Sequence, residues 1–320
     1  MTFYKIIKMG QKKAGFPEHF LENVGKPLKK SVLLRDHSNF RIGGKADYFF
    51  EATSILELVT SILLAREHSF PFYIIGGGNN LLFDDNGFRG LIIKNSAKGI
   101  KQRGKKTEIE AFAGTPLRDL VQFSIEQSLS GFEFLVGIPG TVGGAVFSNA
   151  GAFDQSIGSI LKNAEILDRK GERVRVKRDY FEFSYRQSVL SKKHDILLGV
   201  VFELQNGEKE EIEAHIEENL EKRKRNHPPQ DVACAGSYFK NPVLPDGRKV
   251  PAAYLLDKVG AKDMRIGGAA VYPGHANFII NQERASARDV FRLAQELKRL
   301  VRERFGVELE EEVISLPAGS

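Results

Sequence analysis

Two glycine-rich segments are the parts of this 320-residue sequence most suited to holding a phosphorylated ligand. The first, Gly76 to Asn80, directly follows an apolar stretch, 71–75, that predicts a short buried strand. Glycines at such a place let backbone N–H groups approach a phosphate. The segment is not a Rossmann fingerprint, because Leu81 occupies the third glycine position, and no Gly-Lys-Ser/Thr follows as in a Walker loop. A glycine-rich turn without a ligand explains this segment equally well.

The second glycine-rich segment covers residues 137–151. Four of the eight residues from Gly137 to Gly144 are glycine, and each costs a helix or strand about 0.5–1 kcal/mol relative to alanine. A mobile surface loop would explain the glycines, but apolar residues are interleaved with them: Ile138, Val142, Val146 and Phe147. We therefore favour a ligand-binding loop, in which one helical turn could form.

An arginine and a serine lie in surroundings that could serve catalysis. Arg186 lies among aromatic residues in 183–188, where a salt-bridged core position is the commoner role and a guanidinium held against a carboxylate or enolate is the alternative. Ser237 follows small residues that leave its hydroxyl accessible, and Lys240 and Asn241 add donors for a phosphate or sugar. The Gly-x-Ser-x-Gly motif of hydrolases is absent, so a serine nucleophile is not indicated, and a turn or capping serine is the commoner role.

Acidic residues and one histidine give weaker signals. Glu308, Glu310, Glu311 and Glu312 form a run of a kind that is usually a solvated face, although one of them could act as a general acid or orient a substrate. His275 has no partner at metal-ligand spacing. We expect a structural role for His275 ahead of a substrate contact, and we predict no metal site.

Composition and charge narrow the cellular compartment and the classes of binding partner that we expect for this protein. The single cysteine, Cys234, cannot form an internal disulfide, no stretch reaches the ~18–20 apolar residues of a membrane helix, and no secretory signal is recognisable, so we expect a cytoplasmic protein. The formal net charge is +6, of which residues 1–30 carry +5 and the remainder +1. A basic tail is a weak signal for nucleic acid, and a protein that binds small anions is equally compatible.

The elements that must position these residues alternate between strand and helix, which indicates an α/β or α+β protein. Ser54 and Glu57 fit a capping box at the start of a helix. A turn at 205–207 suggests a domain boundary. The predicted strands are 47–51, 71–75, 90–94, 107–113, 164–168, 173–177, 196–204, 276–281 and 307–316, and the predicted helices are 55–67, 116–129, 208–225, 252–259 and 287–305.

Taken in chain order, seven segments resemble the UDP-N-acetylenolpyruvoylglucosamine reductase family, and the resemblance covers about residues 33–316. The ordered set is far more specific than any one motif. The matching segments are HSNFRIGG (37–44), IIGGGNNLL (74–82), GIPGTVGGAVFSNAGAFD (137–154), FSYRQS (183–188), AGSYFKNP (235–242), GHANFIIN (274–281) and LEEEV (309–313).

The resemblance implies an α+β protein with a two-subdomain FAD-binding fold of the vanillyl-alcohol-oxidase type and a C-terminal α+β substrate-binding domain. It places a basic lead-in at 1–30, the FAD-binding domain at 31–205 with its two subdomains divided near 96–100, and the substrate-binding domain at 206–320. No long tyrosine-bearing insertion lies between Arg186 and Ser237, which is typical of the shorter, second type of the family.

The implied activity is the reduction of UDP-N-acetylglucosamine enolpyruvate to UDP-N-acetylmuramate in peptidoglycan precursor synthesis. NADPH supplies the hydride through noncovalent FAD, and no nucleic acid or membrane partner is expected. The resemblance gives Arg186 the stabilisation of an enolate, Glu312 the orientation of the carboxylate and Ser237 the delivery of a proton.

Further contacts follow from the same matching motifs. The expected substrate-binding residues are Tyr185, Lys240, Asn241 and His275. The expected FAD-binding residues are Arg41, Gly76, Gly77, Gly78, Asn79, Asn80, Leu81, Gly137, Ile138, Pro139, Gly140, Thr141, Gly143, Gly144, Ala145, Asn149, Ala150 and Gly151.

Two alternatives remain open at this point. A sugar or alcohol oxidase of the same fold would often attach its flavin to a histidine or cysteine near the FAD loops, but His68 and Cys234 are poorly placed in the sequence for that. A nucleic-acid-binding protein would use the lysine-rich N-terminus. The chain departs from the family pattern at Lys45, at 254–263 and at 273–274, which concerns the NADPH and sugar contacts and not the three catalytic positions.

Overall fold

The computed structural model describes residues 15–244 and 247–317 of the chain. Its helices are α1 (Phe16–Val24), α2 (Ile55–Glu67), α3 (Leu117–Glu126), α4 (Val142–Ser148), α5 (Ile157–Ile160), α6 (Lys209–Asn226), α7 (Ala252–Lys258) and α8 (Ala287–Phe305). Its strands are β1 (Lys29–Leu33), β2 (Lys45–Ala52), β3 (Phe72–Ile75), β4 (Leu81–Phe83), β5 (Phe88–Asn95), β6 (Ile100–Arg103), β7 (Lys105–Phe112), β8 (Leu129–Ser130), β9 (Gly151–Ala152), β10 (Gln155–Ser156), β11 (Leu161–Leu167), β12 (Arg173–Lys177), β13 (Ile196–Glu203), β14 (Gln205–Asn206), β15 (Arg265–Ile266), β16 (Ala269–Val271), β17 (Ile279–Asn281) and β18 (Ile314–Leu316).

The first sheet has the strand order β1-β2-β5-β3, with β2 and β3 both parallel to β5 and β1 antiparallel to β2. Central strand β5 buries Leu91, Ile92 and Ile93 completely, as a parallel strand covered on both faces requires. Helix α2 connects β2 to β3, and the Ser54 hydroxyl accepts a hydrogen bond from the Glu57 N–H at 3.2 Å. The predicted helix start is therefore confirmed.

Helix α1 corrects the interpretation of residues 1–30 as a lead-in without specified structure. Phe16 and Phe20 are buried, Phe20 completely, and the Phe20 ring packs edge-on against Phe50 of β2 at a centroid distance of 5.0 Å. Two aromatic residues at i and i+4 anchor a helix of only nine residues, which is too short to show a helical period by itself. Residues 1–14, with four of the lead-in lysines, lie outside the described part of the chain.

The second sheet is antiparallel, with the order β12-β11-β13-β7-β6. Helices α3 and α4 pack against it, and the buried core includes Leu120, Val142 and Phe202. Helix α4 spans seven residues and is therefore longer than the single turn that the sequence suggested. The Thr141 hydroxyl caps α4 at the Gly144 N–H, and tertiary packing overrides the weak helix propensity of glycine.

Helix α6 packs on the second sheet's subdomain, although it follows the predicted boundary near 205. It contacts α3 and the 3-10 helix Glu133–Leu135, and the Asn219 side-chain amide donates to the Glu133 carbonyl at 3.2 Å. Strand β14, directly before it, pairs with β8 of the same subdomain. The helix is therefore anchored to the predicted FAD-binding part of the chain.

The third region combines the antiparallel sheet β15-β16-β17 with α7 and α8. Helix α8 has the predicted bounds, a capping box between Ser286 and Asp289, and Gly306 in the left-handed conformation at its end. The predicted strand 307–316 was wrong over most of its length, because only β18 at its end is regular. Strand β18 runs parallel to β4, so the chain returns here to the first subdomain.

Three other predicted bounds were also too long. The predicted strand 276–281 is confined to β17, and the predicted helix 116–129 ends at Glu126 because the chain enters β8 at Leu129. The predicted helix 252–259 ends one residue earlier than expected. Among the residues described, no helix is long and apolar enough to cross a membrane.

Replacement of Phe20 by alanine tests the role of α1. We expect Phe20→Ala to lower the free energy of unfolding by about 3 kcal/mol, because a fully buried aromatic ring leaves a cavity. Leu21→Ala on the exposed face of the same helix is the control and should change it by less than about 0.5 kcal/mol. Urea denaturation measures both, and equal small effects would show that α1 adds nothing to stability.

Candidate active site

Arg186 is presented by a tight turn in the second subdomain. Ser184 and Gln187 exchange two backbone hydrogen bonds of 3.1 and 3.2 Å, and Arg186 within the turn has φ of +54°. A left-handed arginine is strained, and such strain is concentrated at functional sites. The turn directs the guanidinium at Glu312, with 3.0 Å between Arg186 Nε and Glu312 Oε1.

Glu312 is held by backbone contacts on both sides. Its N–H donates to the Tyr238 carbonyl at 2.8 Å, and its own carbonyl accepts from the Asn80 side-chain amide at 3.1 Å. Burial raises the pKa of Glu312, although the charges of Arg186 and Lys240 oppose that rise. The carboxyl group therefore takes up a proton more readily than an exposed glutamate does.

Ser237 lies one residue before the carbonyl that holds Glu312. Its side chain is half-buried, and the preceding Gly236 has φ of +80° with open space where a Cβ would stand. The Asn277 side chain hydrogen-bonds both the N–H and the carbonyl of Phe239, at 3.0 and 2.8 Å, and so fixes this segment. The structure therefore brings the segments that carry Arg186, Ser237 and Glu312 to one place.

The two glycine-rich loops face each other beside this place. A Cβ on Gly77 would lie 3.4 Å from the Gly140 Cα, and a Cβ on Gly76 would lie 2.4 Å from the Thr141 hydroxyl. Gly78 has φ of +69°, and its carbonyl accepts from the Asn39 N–H at 3.0 Å. Two segments predicted to contact FAD, around residues 77 and 140, thus meet in the fold, and Asn39 of the motif that contains Arg41 contacts the first of them.

The first glycine loop fits a diphosphate. Within the described ranges, the backbone N–H groups of residues 76–80 donate to no acceptor of the protein. Such a run of free donors, without side chains in the way, is the backbone arrangement that binds phosphate oxygens. FAD carries a diphosphate, so the residues present fit this cofactor.

The later part of the second glycine-rich segment has a structural role in the contacts seen. Both ends of the Asn149 amide are used, since it donates to the Ser184 carbonyl at 2.8 Å and accepts from the Gly158 N–H at 3.1 Å. Ala145 and Gly151 are buried in the subdomain. Asn149 therefore positions the turn that carries Arg186. Cofactor contacts of these residues and of Ile138, Pro139, Gly143 and Ala150 stay predictions.

Arg41 lies on a separate cleft. The cleft has a volume of about 890 Å³, and Arg35 and Arg284 line it together with Arg41. The Arg41 side chain donates to the Asp231 carbonyl at 3.1 Å, and its backbone has φ of +55°. The predicted FAD contact of Arg41 stays a prediction.

The predicted substrate residues Tyr185, Lys240 and Asn241 lie together where the second subdomain meets the C-terminal region. The Asn241 N–H donates to the Tyr185 hydroxyl at 3.3 Å, and Lys240 forms an ion pair with Glu310. The Lys249 ammonium lies 3.2 Å from the centre of the Tyr185 ring. Burial, followed by the charge of Arg186, lowers the pKa of Lys249.

His275, the fourth predicted substrate residue, forms a small aromatic cluster. It packs edge-on against Phe278, and its ring is 6.0 Å from that of His227. Burial lowers the pKa of both histidines, and that of His227 falls to about 4. In the part of the chain that the structure describes, no three His, Cys, Asp or Glu side chains are grouped to hold a metal ion.

Neither side chain weighed for covalent flavin attachment lies on the glycine loops. His68 is hydrogen-bonded to His19 at 2.7 Å and stands at the opposite end of β3 from Gly76. Cys234 is buried, and burial raises the pKa of its thiol.

Sequence reasoning missed three residues of this region, namely Arg223, His227 and Lys249. Arg223 lies in the predicted helix 208–225 and was given no functional role, yet its Nε is shielded from solvent. The only sequence signal was the basic run 222–225 shortly before the predicted Ser237 segment. Lys249 lies in a stretch without any recognised motif.

Comparison with known proteins identifies what this fold and site are. Residues 46–177 match a family model described as an FAD binding domain, and residues 227–316 match one described as UDP-N-acetylenolpyruvoylglucosamine reductase, C-terminal domain. The protein is therefore a flavin-dependent oxidoreductase. The predicted α+β fold class, an FAD-binding fold of the vanillyl-alcohol-oxidase type with a C-terminal α+β domain, is confirmed.

Similar proteins define the family. The UDP-N-acetylenolpyruvoylglucosamine reductase of Clostridium botulinum (strain Eklund 17B / Type B) is 38% identical over 89% of this chain and 92% of that protein. The protein of that name from Clostridium beijerinckii is 39% identical over the same shares. A crystal structure of the reductase from Thermus caldophilus has 32% identity and a TM-score of 0.75, covering 91% of this chain and 99% of that one. This chain belongs to the UDP-N-acetylenolpyruvoylglucosamine reductase family.

The half-buried His227 predicts a loss of stability in acid. Its pKa is about 4 in the folded protein and about 6.5 when exposed, so protonation favours the unfolded chain. The stability that it contributes is complete above about pH 6.5 and declines as the pH falls towards 4. We expect His227→Gln to lose less stability than the unchanged protein between pH 7 and pH 4.5 in urea denaturation. Parallel losses in the two proteins would contradict the assignment.

Proposed function

We propose that this protein reduces UDP-N-acetylglucosamine enolpyruvate to UDP-N-acetylmuramate, with noncovalent FAD as cofactor and NADPH as the source of hydride. The observation that carries the proposal is the meeting of Arg186, Glu312 and the Ser237 segment beside two facing glycine loops. FAD, when bound, accepts a hydride from NADPH and passes it to the enolpyruvyl group. The family of the chain supports the same reaction.

The glycine loops are proposed to bind the FAD diphosphate. The free N–H groups of residues 76–80 supply the donors, and Gly140 and Thr141 face them across the loop contact. The FAD-binding part is proposed to span 31–205, divided near 96–100, and α6 packs against it. The substrate-binding part is proposed to span 206–320, with Tyr185, Lys240, Asn241 and His275 near the UDP-sugar.

Arg186 is proposed to stabilise the negative charge that develops on the substrate. Hydride addition to the methylene carbon places charge on the adjacent carbon and the carboxylate. The Arg186 Nε faces Glu312, and in the described residues the two terminal nitrogens of this guanidinium have no hydrogen-bond acceptor. Those nitrogens can therefore accept the planar carboxylate, and a fixed guanidinium needs no reorganisation as the charge forms.

Glu312 is proposed to orient the substrate carboxylate in its protonated form. Burial already raises its pKa, and an arriving carboxylate raises it further while competing for Arg186. A protonated carboxyl group donates one hydrogen bond, which can be aimed at a carboxylate oxygen of the substrate. Ser237 is proposed to deliver the proton to the enolate carbon, with the Lys240 charge nearby.

The partners are proposed to be small molecules only, with no nucleic acid or membrane, and the location is proposed to be the cytoplasm. The single buried cysteine fits a reducing compartment. Peptidoglycan precursor synthesis is where the product would be used.

An absorption spectrum of the purified protein between ~300 and 600 nm tests the cofactor and the reaction together. We expect two flavin bands that bleach with NADPH and return when UDP-N-acetylglucosamine enolpyruvate is added without oxygen. A protein that stays colourless after incubation with FAD would contradict the proposal. Bleaching without return would leave the cofactor in place and exclude this substrate.

Ser237→Ala separates the two half-reactions. We expect reduction of bound FAD by NADPH to stay within about twofold, and reoxidation by the enolpyruvyl substrate to slow by about 10²–10⁴-fold, because only that step needs the proton. Stopped-flow absorbance measures both rates. Ser315→Ala, an exposed serine near Glu312, is the control and should change neither. An equal loss in both half-reactions would exclude Ser237 as the proton donor.

A further inference from the structure

Arg223, in the last turn of α6, lies directly on the second glycine loop. Gly137 has φ of +71°, and a Cβ there would lie 3.0 Å from the Arg223 Cδ and 3.4 Å from Leu220. On another side the guanidinium lies 5.9 Å from the centre of the Phe153 ring. Gly137 is three residues from Gly140, which faces the first glycine loop.

The charge of Arg223 is not balanced by a carboxylate in the described part of the chain. Its Nε is enclosed without a hydrogen-bond acceptor, and over residues 15–244 and 247–317 no carboxylate forms an ion pair with its guanidinium. Arginine keeps its proton at any ordinary pH, so neutralisation cannot relieve this burial. Burial and the nearby charge of Arg186 both lower the pKa of Arg223, which means that the surroundings disfavour a cation there.

Two nearby cations differ from Arg223 in this respect, and a third, Lys249, lies over the Tyr185 ring. Arg186 faces Glu312, and Lys240 is paired with Glu310. Arg223 is half-buried as a whole, and its Nε is the enclosed atom of the guanidinium. A partly shielded guanidinium without an ion-pair partner is unfavourable in a folded protein unless an anion of a ligand completes it. We therefore expect an anionic group of a ligand to bind Arg223 beside Gly137.

The position of α6 decides which ligand supplies that group. The helix packs on α3 and on Glu133–Leu135 of the second subdomain, and β14 ties its start to β8. Arg223 thus moves with the predicted FAD loop and not with β15-β16-β17. The anion that stays with this loop through the reaction is the diphosphate of FAD.

We propose that Arg223 binds the diphosphate of FAD and holds the loop from Gly137 to Gly144 against the cofactor. This inference rests on the proposed function, which assigns both glycine loops to FAD. A bidentate guanidinium on one side and free backbone N–H groups on the other would then enclose the diphosphate. Helix α6, which follows the proposed FAD-binding domain in the sequence, would in this way contribute Arg223 to the cofactor site.

FAD binding by the holoenzyme tests the inference without relying on turnover. The variants are Arg223→Gln and Arg223→Lys, with Arg225→Gln, an exposed arginine of the same helix, as the matched control. Each holoenzyme is diluted stepwise, and free FAD is separated by ultrafiltration and measured by its fluorescence. We expect Arg223→Gln to weaken FAD binding about 10- to 100-fold, Arg223→Lys to weaken it less, and Arg225→Gln to leave it unchanged.

Salt dependence and substrate kinetics distinguish the other outcomes. We expect the loss of affinity with added KCl to be shallower in Arg223→Gln than in the unchanged protein, since one charge contact is missing. Unchanged FAD binding with a raised KM for UDP-N-acetylglucosamine enolpyruvate would overturn the inference and assign Arg223 to the substrate. Unchanged FAD binding and KM would overturn it as well. If Arg223→Gln does not fold, Arg223→Lys decides, and FAD binding equal to that of the unchanged protein would overturn the inference.

An unchanged protein that binds no FAD would overturn the proposed function together with this inference. FAD binding that is strong in the unchanged protein and equal in all three variants would overturn the inference alone.

Discussion

The extended segment 310–312 is the constraint on which the active site depends. The Glu310 carbonyl accepts from the Lys240 N–H, the Glu312 N–H donates to Tyr238, and the Glu312 carbonyl accepts from Asn80. Three hydrogen bonds from one short segment thus fix the Ser237 segment and the first glycine loop relative to each other. Because the Glu312 side chain starts from this same backbone, its distance from Arg186 is set by main-chain geometry and not by a flexible side chain alone. Loss of any of these bonds would move reacting groups and cofactor loop together.

The positive side chains around Arg186 favour the binding of anions, but they lower the stability of the folded protein without a ligand. Arg186, Arg223, Lys240 and Lys249 lie close enough that Arg186 lowers the pKa of both Arg223 and Lys249. Glu312, a half-buried glutamate with a raised pKa, adds a further unfavourable charge when it ionises. We expect such an arrangement where ligands supply the opposite charge, because ligand binding to the folded state then offsets the loss of stability. The strained backbone of Arg186 belongs to the same pattern.

Much of the fold was predictable because several helices and strands carry local sequence signals for where they begin or end. Helices α2 and α8 begin at serine caps, and the long apolar strand β13 needs no distant information to be recognised. The three proposed catalytic positions come from family motifs, and the structure brings their segments together. The segment 307–313 was wrongly predicted to be a strand. Alternating apolar residues indicate an extended chain with one buried side, and they do so whether or not a regular partner strand exists.

The residues that sequence reasoning missed depend on contacts that no local pattern contains. Arg223 lies on a helix whose composition is that of a solvated face, and only the approach of Gly137 from a distant part of the chain shields it. Helix α4 was underestimated for the same reason, since its glycines are tolerated only because Gly143 packs closely on Ala113. Local propensity gives the energy of a segment alone, whereas these positions are decided by tertiary packing.

The pairing of β4 with β18 has a consequence for synthesis on the ribosome. Strand β4 emerges early, and in the described chain its only strand partner, β18, emerges after all three core regions have been made. Until then the apolar edge formed by Leu81, Leu82 and Phe83 lacks its final cover. An uncovered edge of this kind is a template for intermolecular association, so the nascent chain is most at risk of aggregation, and most in need of a chaperone, during the interval before residues 314–316 leave the exit tunnel.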